Sequence, residues 1–234
     1  MKYIKTFEIK KPSTIDEELI NAAKNGSNES IKKIIKKPGV NIDCVLPGTG
    51  KAYDRNYNRV EAPSNKKTPL IFAVENKFIM VVDTLIKAGA NVNLGDFEGR
   101  TALMYASTMK IVDMLLKTDI DINKTNDDNR TVIMDYLYTG RWSPDQMIMI
   151  LEKFLAKGLD LDIEDLQGQN FYYLLKDILL HLTPIPDRIK LAQEVINYID
   201  EKFPKYKTEF EITHGKNGEN CDICIEKSMD KYNF

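Results

Sequence analysis

Cys221-Asp222-Ile223-Cys224 has the spacing that bites a zinc ion or closes as a redox dithiol, and His214 stands seven residues upstream. A closed structural zinc site takes four ligands. Only three candidates stand together here, so an acidic residue or His181 would have to complete the set. As a redox pair the motif lacks a thioredoxin-like βαβ pattern around it. The least demanding reading is two thiols on a terminal helix, which leaves Cys221, Cys224 and His214 as metal candidates only and implies no cofactor. Gly48-Thr49-Gly50-Lys51 suggests a phosphate loop, but Val45 stands where the first glycine is needed and Ala52 where a hydroxyl would hold Mg²⁺. Two histidines far apart give a Ser/His/Asp or Cys/His site little material, and His181 reads as a packed or capping residue on an apolar helix. Asp119, Asp121, Asp127 and Asp128 flank a hairpin without the spacing of a calcium loop. No catalytic residue is assigned, and the chain reads as a non-enzyme.

The elements that would position any such group come from the rest of the chain. Its 234 residues are 43% hydrophobic, enough for a continuous core. No apolar run reaches the length that spans a bilayer. No apolar stretch follows Lys2 and Lys5, so a cleavable signal peptide is not expected. Three cysteines are too few for a disulfide framework. A reducing, cytoplasmic setting follows, with export by a route that needs no cleavable signal as the other option. Residues 1–67 carry 14 Lys/Arg against 8 Asp/Glu, whereas the whole chain has a net charge of −2. Such polarity either steers a charged partner to one end or is ordinary solvated surface. The Lys/Tyr/Arg mixture of residues 51–67 could contact nucleic acid. The acidic remainder, with no basic stripe, argues against it.

Thr68-Pro69-Leu70-Ile71-Phe72-Ala73 returns 33 residues later as Thr101-Ala102-Leu103-Met104-Tyr105-Ala106. It returns 30 residues further on at Thr131-Val132-Ile133-Met134, and 39 further, degraded, at Asn170-Phe171-Tyr172-Tyr173. Each copy leads into a second apolar helix pattern. The first three then close on Asn91-Val92-Asn93, Asp121-Ile122-Asn123 and Asp160-Leu161-Asp162. Thr68 reads as an N-cap with Pro69 at the first helical position. Ser143-Pro144-Asp145-Gln146 restarts a helix with a capping box, and Trp142 with Met147 has the spacing of a hydrophobic staple. Thr14 with Glu17 makes another capping box. Ala73, Leu85 and Ile86 are expected in the core.

A first, capping repeat covers 14–43, followed by an insertion, 44–66, rich in Lys, Arg and Tyr. Long insertions of this kind are either functional or disordered. Repeats follow at 64–95, 96–126, 127–165 and 166–203, then an extension over 204–234. A strand at Tyr3–Ile9 and a last helix near Asp222–Tyr232 are further expectations.

A period near 33 with a T-P-L-x-x-A opening resembles the ankyrin repeat. The resemblance covers 14–203 and is specific over 66–162. It departs from the family at Ile71, Met104 and Met134, where the usual histidine is missing. It departs again at Asp135-Tyr136, where small apolar residues belong and a rotated or shifted helix is expected. The resemblance implies an all-α repeat protein: a solenoid of about five helix-turn-helix repeats with short β-hairpin tips. It further implies a groove, lined by the tips and first helices, that binds a protein partner. The tips are then Phe97, Glu98 and Arg100; Asp127, Asp128 and Arg130; Leu166, Gln167 and Gln169. Glu75, Asn76, Thr108, Tyr138 and Thr139 take the groove positions, and Tyr53, Arg55 and Tyr57 of the insertion join them. Phe97 is either an anchor for the partner or packed on an adjacent tip. Stand-alone arrays of this Lys-, Ile- and Asn-rich composition resemble effectors or inhibitors, immunity proteins among them. The expected protein is a monomer with a protein partner and with no nucleic acid or membrane partner; the alternative is a redox or zinc protein built on the C-terminal CxxC.

Overall fold

The computed structural model describes residues 14–45, 50–53, 59–62, 66–181 and 186–208. It divides into two compact units, Met1–Val132 and Ile133–Phe234. The first unit is built from three helix pairs: α1 (Thr14–Lys24) with α2 (Asn28–Ile34), α3 (Pro69–Glu75) with α4 (Ile79–Lys87), and α5 (Ala102–Tyr105) with α6 (Met109–Leu116). First helices pack in one row, α1 on α3 and α3 on α5. Second helices pack in another, α2 on α4 and α4 on α6. Such short helices are marginal alone in water, so each depends on its neighbours. Helix α3 lies in the middle of its row and buries every residue from Pro69 to Val74. Its start is fixed as the sequence predicts: the Thr68 hydroxyl accepts from the Ile71 N–H at 3.2 Å and Pro69 needs no partner there. In the third pair the corner shrinks to a few residues. Ala106 leaves α5 in extended backbone, and Thr108 already caps α6 by accepting from Ile111 N.

Two expectations need correction in this unit. Thr14 is the first residue of α1 rather than a cap before it. Ile86 is half-buried and not in the core, because Val81, Val82 and Leu85 already fill the inward face of α4. The 44–66 insertion carries an antiparallel hairpin, β1 (Gly50–Tyr53) with β2 (Arg59–Ala62), paired from Gly50↔Ala62 to Tyr53↔Arg59. Val60 is the one β-branched residue in these two strands, so propensity offered no signal for them.

The second unit holds most of α7 (Val132–Thr139), then α8 (Pro144–Leu155), α9 (Phe171–His181) and α10 (Pro186–Lys202). Both halves of the Ser143–Gln146 capping box form. Tyr136, in α7, shows how the departure from a small residue is accommodated. It is fully buried at the position where a small residue belongs, with its ring 5.4 Å from Trp142 and 6.1 Å from Phe154. The longer corner accommodates it, since that corner brings Trp142 back over the ring. Helix α10 ties the unit together. Its Asp200 accepts from the Tyr172 hydroxyl of α9 at 2.6 Å, its Tyr198 donates to Glu152 of α8, and Arg188 donates to the carbonyl of Leu137 at 2.8 Å. The strand expected at Tyr3–Ile9 and the helix near Asp222–Tyr232 lie outside the described residues.

The closing motifs have a physical role. In each, the first Asx side chain accepts from the N–H two residues on: Asn41 from Asp43, Asn91 from Asn93, Asp121 from Asn123, and Asp160 from Asp162. In the first unit the second Asx then reaches the next loop. Asp43 accepts from Asn91 N at 2.9 Å, and Asn93 accepts from Asp121 N at 2.8 Å while donating to the Asp119 carbonyl. Val92 and Ile122, between the paired Asx residues, are buried. Replacing Asn93 by Ala removes both inter-loop bonds and should lower stability in urea by about 1–2 kcal/mol. A transition unchanged from the parent protein would show that the ladder is ornamental.

Candidate functional site

Three tips share one construction. Asp96, Asn126 and Asp165 each use Oδ1 to accept two backbone N–H groups, two and four residues on. The first takes Glu98 and Arg100 at 3.0 and 2.9 Å, the second Asp128 and Arg130 at 3.0 Å each, and the third Gln167 and Gln169 at 2.9 and 3.1 Å. The fourth residue of each turn has positive φ: Gly99 at 74°, Asn129 at 59° and Gly168 at 72°. Glycine and asparagine tolerate that conformation. Gly99 is also confined by space, because a Cβ there would come 3.0 Å from Asp127 Oδ1. The first two tips are joined directly, Asp127 N donating to the Glu98 carbonyl at 2.9 Å.

Behind the first tip sits a charged cluster. The Asp96 carboxylate is only 4% exposed, and its Oδ2 accepts from the Tyr105 hydroxyl at 2.6 Å and from Arg100 at 3.2 Å. Arg100 also pairs with Glu98 at 2.6 Å and lies over the Tyr105 ring. Lys67 approaches the same ring, 4.3 Å from its centroid, and pairs with Glu75 at 2.7 Å. Burial, then the bond to Asp96, pushes the Tyr105 phenol well above its usual range. The phenol thus stays a donor at neutral pH and braces the tip against the first helix.

These are the features of a repeat array with exposed turns on a rigid frame. A family model described as ankyrin repeats (3 copies) matches residues 19–126. Those residues are ankyrin repeats. The chain is also similar to the Nuclear factor NF-kappa-B p105 subunit of Gallus gallus, 45% identical over 69 residues. That match covers 27% of this chain, and 7% of the length of the relative. Ankyrin repeats generally mediate protein–protein interaction and are typically non-enzymatic modules.

Within the ankyrin array of the first unit, the structure sorts the expected site residues into two kinds. Phe97, Glu98, Asp127 and Asp128 are exposed on the tips, Phe97 with half of its surface free. Arg100 and Arg130 are half-buried and paired, the latter with Asp128 at 3.4 Å, so they hold the turns rather than extend from them. Phe97 thus leaves half of its surface to solvent. Glu75 is engaged by Lys67, and Asn76 is exposed while donating to the Phe72 carbonyl of its own helix. In the second unit Tyr138 is exposed, as are Leu166 and Gln167, and Gln169 is half-buried.

Tyr53 lies on β1, whereas Arg55 and Tyr57 lie outside the described residues, as do His214, Cys221 and Cys224. Cys44 is buried, and its thiol is pushed up to about 12 by burial and by Asp16, which favours the protonated thiol at neutral pH. Sequence reasoning missed Lys67, Asp96 and Tyr105 as a unit. The repeated Asx four residues before Arg100, Arg130 and Gln169 was the available signal for the turns.

Two outcomes test this construction. Asp96→Ala strands the Tyr105 hydroxyl, Arg100 and two N–H groups and should destabilise the protein by about 3 kcal/mol. Asp96→Asn should cost less, because Oδ1 still closes the turn as it does at Asn126; equal losses would contradict the division of labour between the two oxygens. In alkali, the folded state keeps the Tyr105 proton where the unfolded chain gives it up. Stability should therefore fall as pH rises above 10.0, the ordinary phenol value, and less steeply in Tyr105→Phe. Denaturant midpoints across that range measure the slope, and identical slopes would remove Tyr105 from the account.

Proposed function

We propose that this chain is a non-enzymatic interaction module, cytoplasmic and monomeric, that binds one protein partner through its turn tips and first helices. It needs no cofactor, nucleic acid or membrane. One observation carries the reading: Phe97 is a large apolar side chain, half exposed, on a turn clamped by Asp96, Arg100 and Tyr105. An aromatic residue on a rigid polar frame loses little freedom on binding and is the residue type that dominates hot spots. Glu98 and Asp128 supply the polar rim in that unit, with Arg100 and Arg130 orienting them, and Glu75 and Asn76 continue the surface along the first helix. Tyr138, Gln167 and Gln169 are the candidate contacts in the second unit taken by itself, and Tyr53, Arg55 and Tyr57 those of the insertion. The inhibitor or effector reading, in which the partner is silenced by occupation of its surface, fits a module whose site contains binding groups only. Among the described residues no helix is long and apolar enough to cross a membrane.

Affinity capture from native lysate on the immobilised full chain identifies the partner, and titration with the purified partner measures the site. Phe97→Ala should weaken binding more than about tenfold, or 1.4 kcal/mol, with an unchanged thermal transition. Full affinity in Phe97→Ala and in Glu98→Ala combined with Asp128→Ala would dismiss the tips as the binding surface.

A further inference from the structure

The second helices of the first unit carry apolar surface that the core does not use. Helix α4 opens Ile79-Met80-Val81-Val82, more apolar residues than one inward stripe requires. Val81 and Val82 turn inward and are buried, while Ile79 is 39% and Met80 67% exposed. They converge with Ile35, Ile86 and Met114 on an open groove along α2, α4 and α6, ≈ 870 Å³ in volume. The groove is preformed, since Thr84 donates to Asn28 Oδ1 at 2.8 Å and fixes α4 against α2.

Its charge is one-sided. Lys32, Lys87, Lys110 and Lys117 line it against a single carboxylate, Asp83. Asp83 is taken by Lys87 at 2.7 Å, and Lys32 is loosely paired with Glu29 at 3.8 Å. Lys110 and Lys117 are exposed and have no ion-pair partner among the described residues. An apolar floor with a lysine rim complements a helix that has one apolar stripe and acidic flanks. The two methionines suit that role, because an unbranched thioether side chain repacks around the residue it meets.

We propose that this groove is a second interaction site, separate from the tips, that takes an acidic amphipathic helix from another protein. The apolar stripe of that helix lies on Ile79, Met80 and Met114, and its carboxylates face Lys32, Lys110 and Lys117. Exposed rim charges are screened by salt, so the contact weakens as ionic strength rises.

The test uses the full chain and a labelled synthetic helix with leucine at stripe spacing and glutamate on both flanks. Controls are the same helix with lysine for glutamate, and vesicles of phosphatidylcholine with and without phosphatidylserine. The acidic helix should bind more than about tenfold tighter than the lysine helix and lose about tenfold with Met80→Glu or with Lys110→Glu plus Lys117→Glu. Met80 is exposed, so its replacement leaves the fold intact, as circular dichroism will show. Phe97→Ala should bind the acidic helix like the parent, which separates this site from the tips. Equal binding of both helices, binding of neither, or full affinity in Met80→Glu would overturn the proposal. So would loss in Phe97→Ala, preferential capture by phosphatidylserine vesicles, or self-association abolished by Met80→Glu.

Discussion

A helix of seven residues has no stability of its own in water. Nearly everything in the first unit follows from that constraint. Helices α3 and α5 are short and apolar almost throughout, which would be insoluble in isolation and is tolerable only between two neighbours. Stability is then a property of adjacent pairs, and a middle helix such as α3 or α4 packs on both neighbours in its row. The same constraint explains why α10, at 17 residues, departs from its shorter counterparts. It packs on both α8 and α9 and presents a polar outer face.

Apolar burial is non-directional and does not by itself set the register between one pair and the next. Polar bonds do that. In the first unit the closing Asx residues fold each loop on itself, and Asp43 and Asn93 reach the next one, so those loops keep a fixed offset. At the tips the same residue type works through two N–H groups of its own turn. A carboxylate at Asp96 does more than the amide at Asn126, because its second oxygen also gathers Tyr105 and Arg100. The frame is thus closed by backbone and by buried polar atoms, and the outermost side chains are left out of it.

Much of the helical framework was legible because its signals are local. Thr68 with Pro69 and Ser143 with Gln146 each act within one turn of chain, and both behave as their spacing predicts. What was not legible depends on how side chains turn and pack, even where the partner is only two to six residues away. Arg100 and Arg130 read as projecting tips because nothing in a linear pattern shows that a carboxylate nearby has bent them back. Tyr136 read as a misfit until Trp142 and Phe154 were seen around it. Ile86 read as core because periodicity counts apolar residues but not how many one face can accept. The β1–β2 hairpin has almost no β-branched residues and so left no trace in the pattern.

The turn built on Asp96, Asn126 and Asp165 separates two duties that most surface loops combine. Each closes through one side-chain oxygen and backbone hydrogens, so the residue after the Asx — Phe97, Asp127 or Leu166 — contributes no side-chain bond to the closure. Those three positions hold an aromatic ring, a carboxylate and an aliphatic chain on turns of the same design. A single substitution at any of these positions can therefore change the chemistry a turn presents without a compensating change in the bonds that close it.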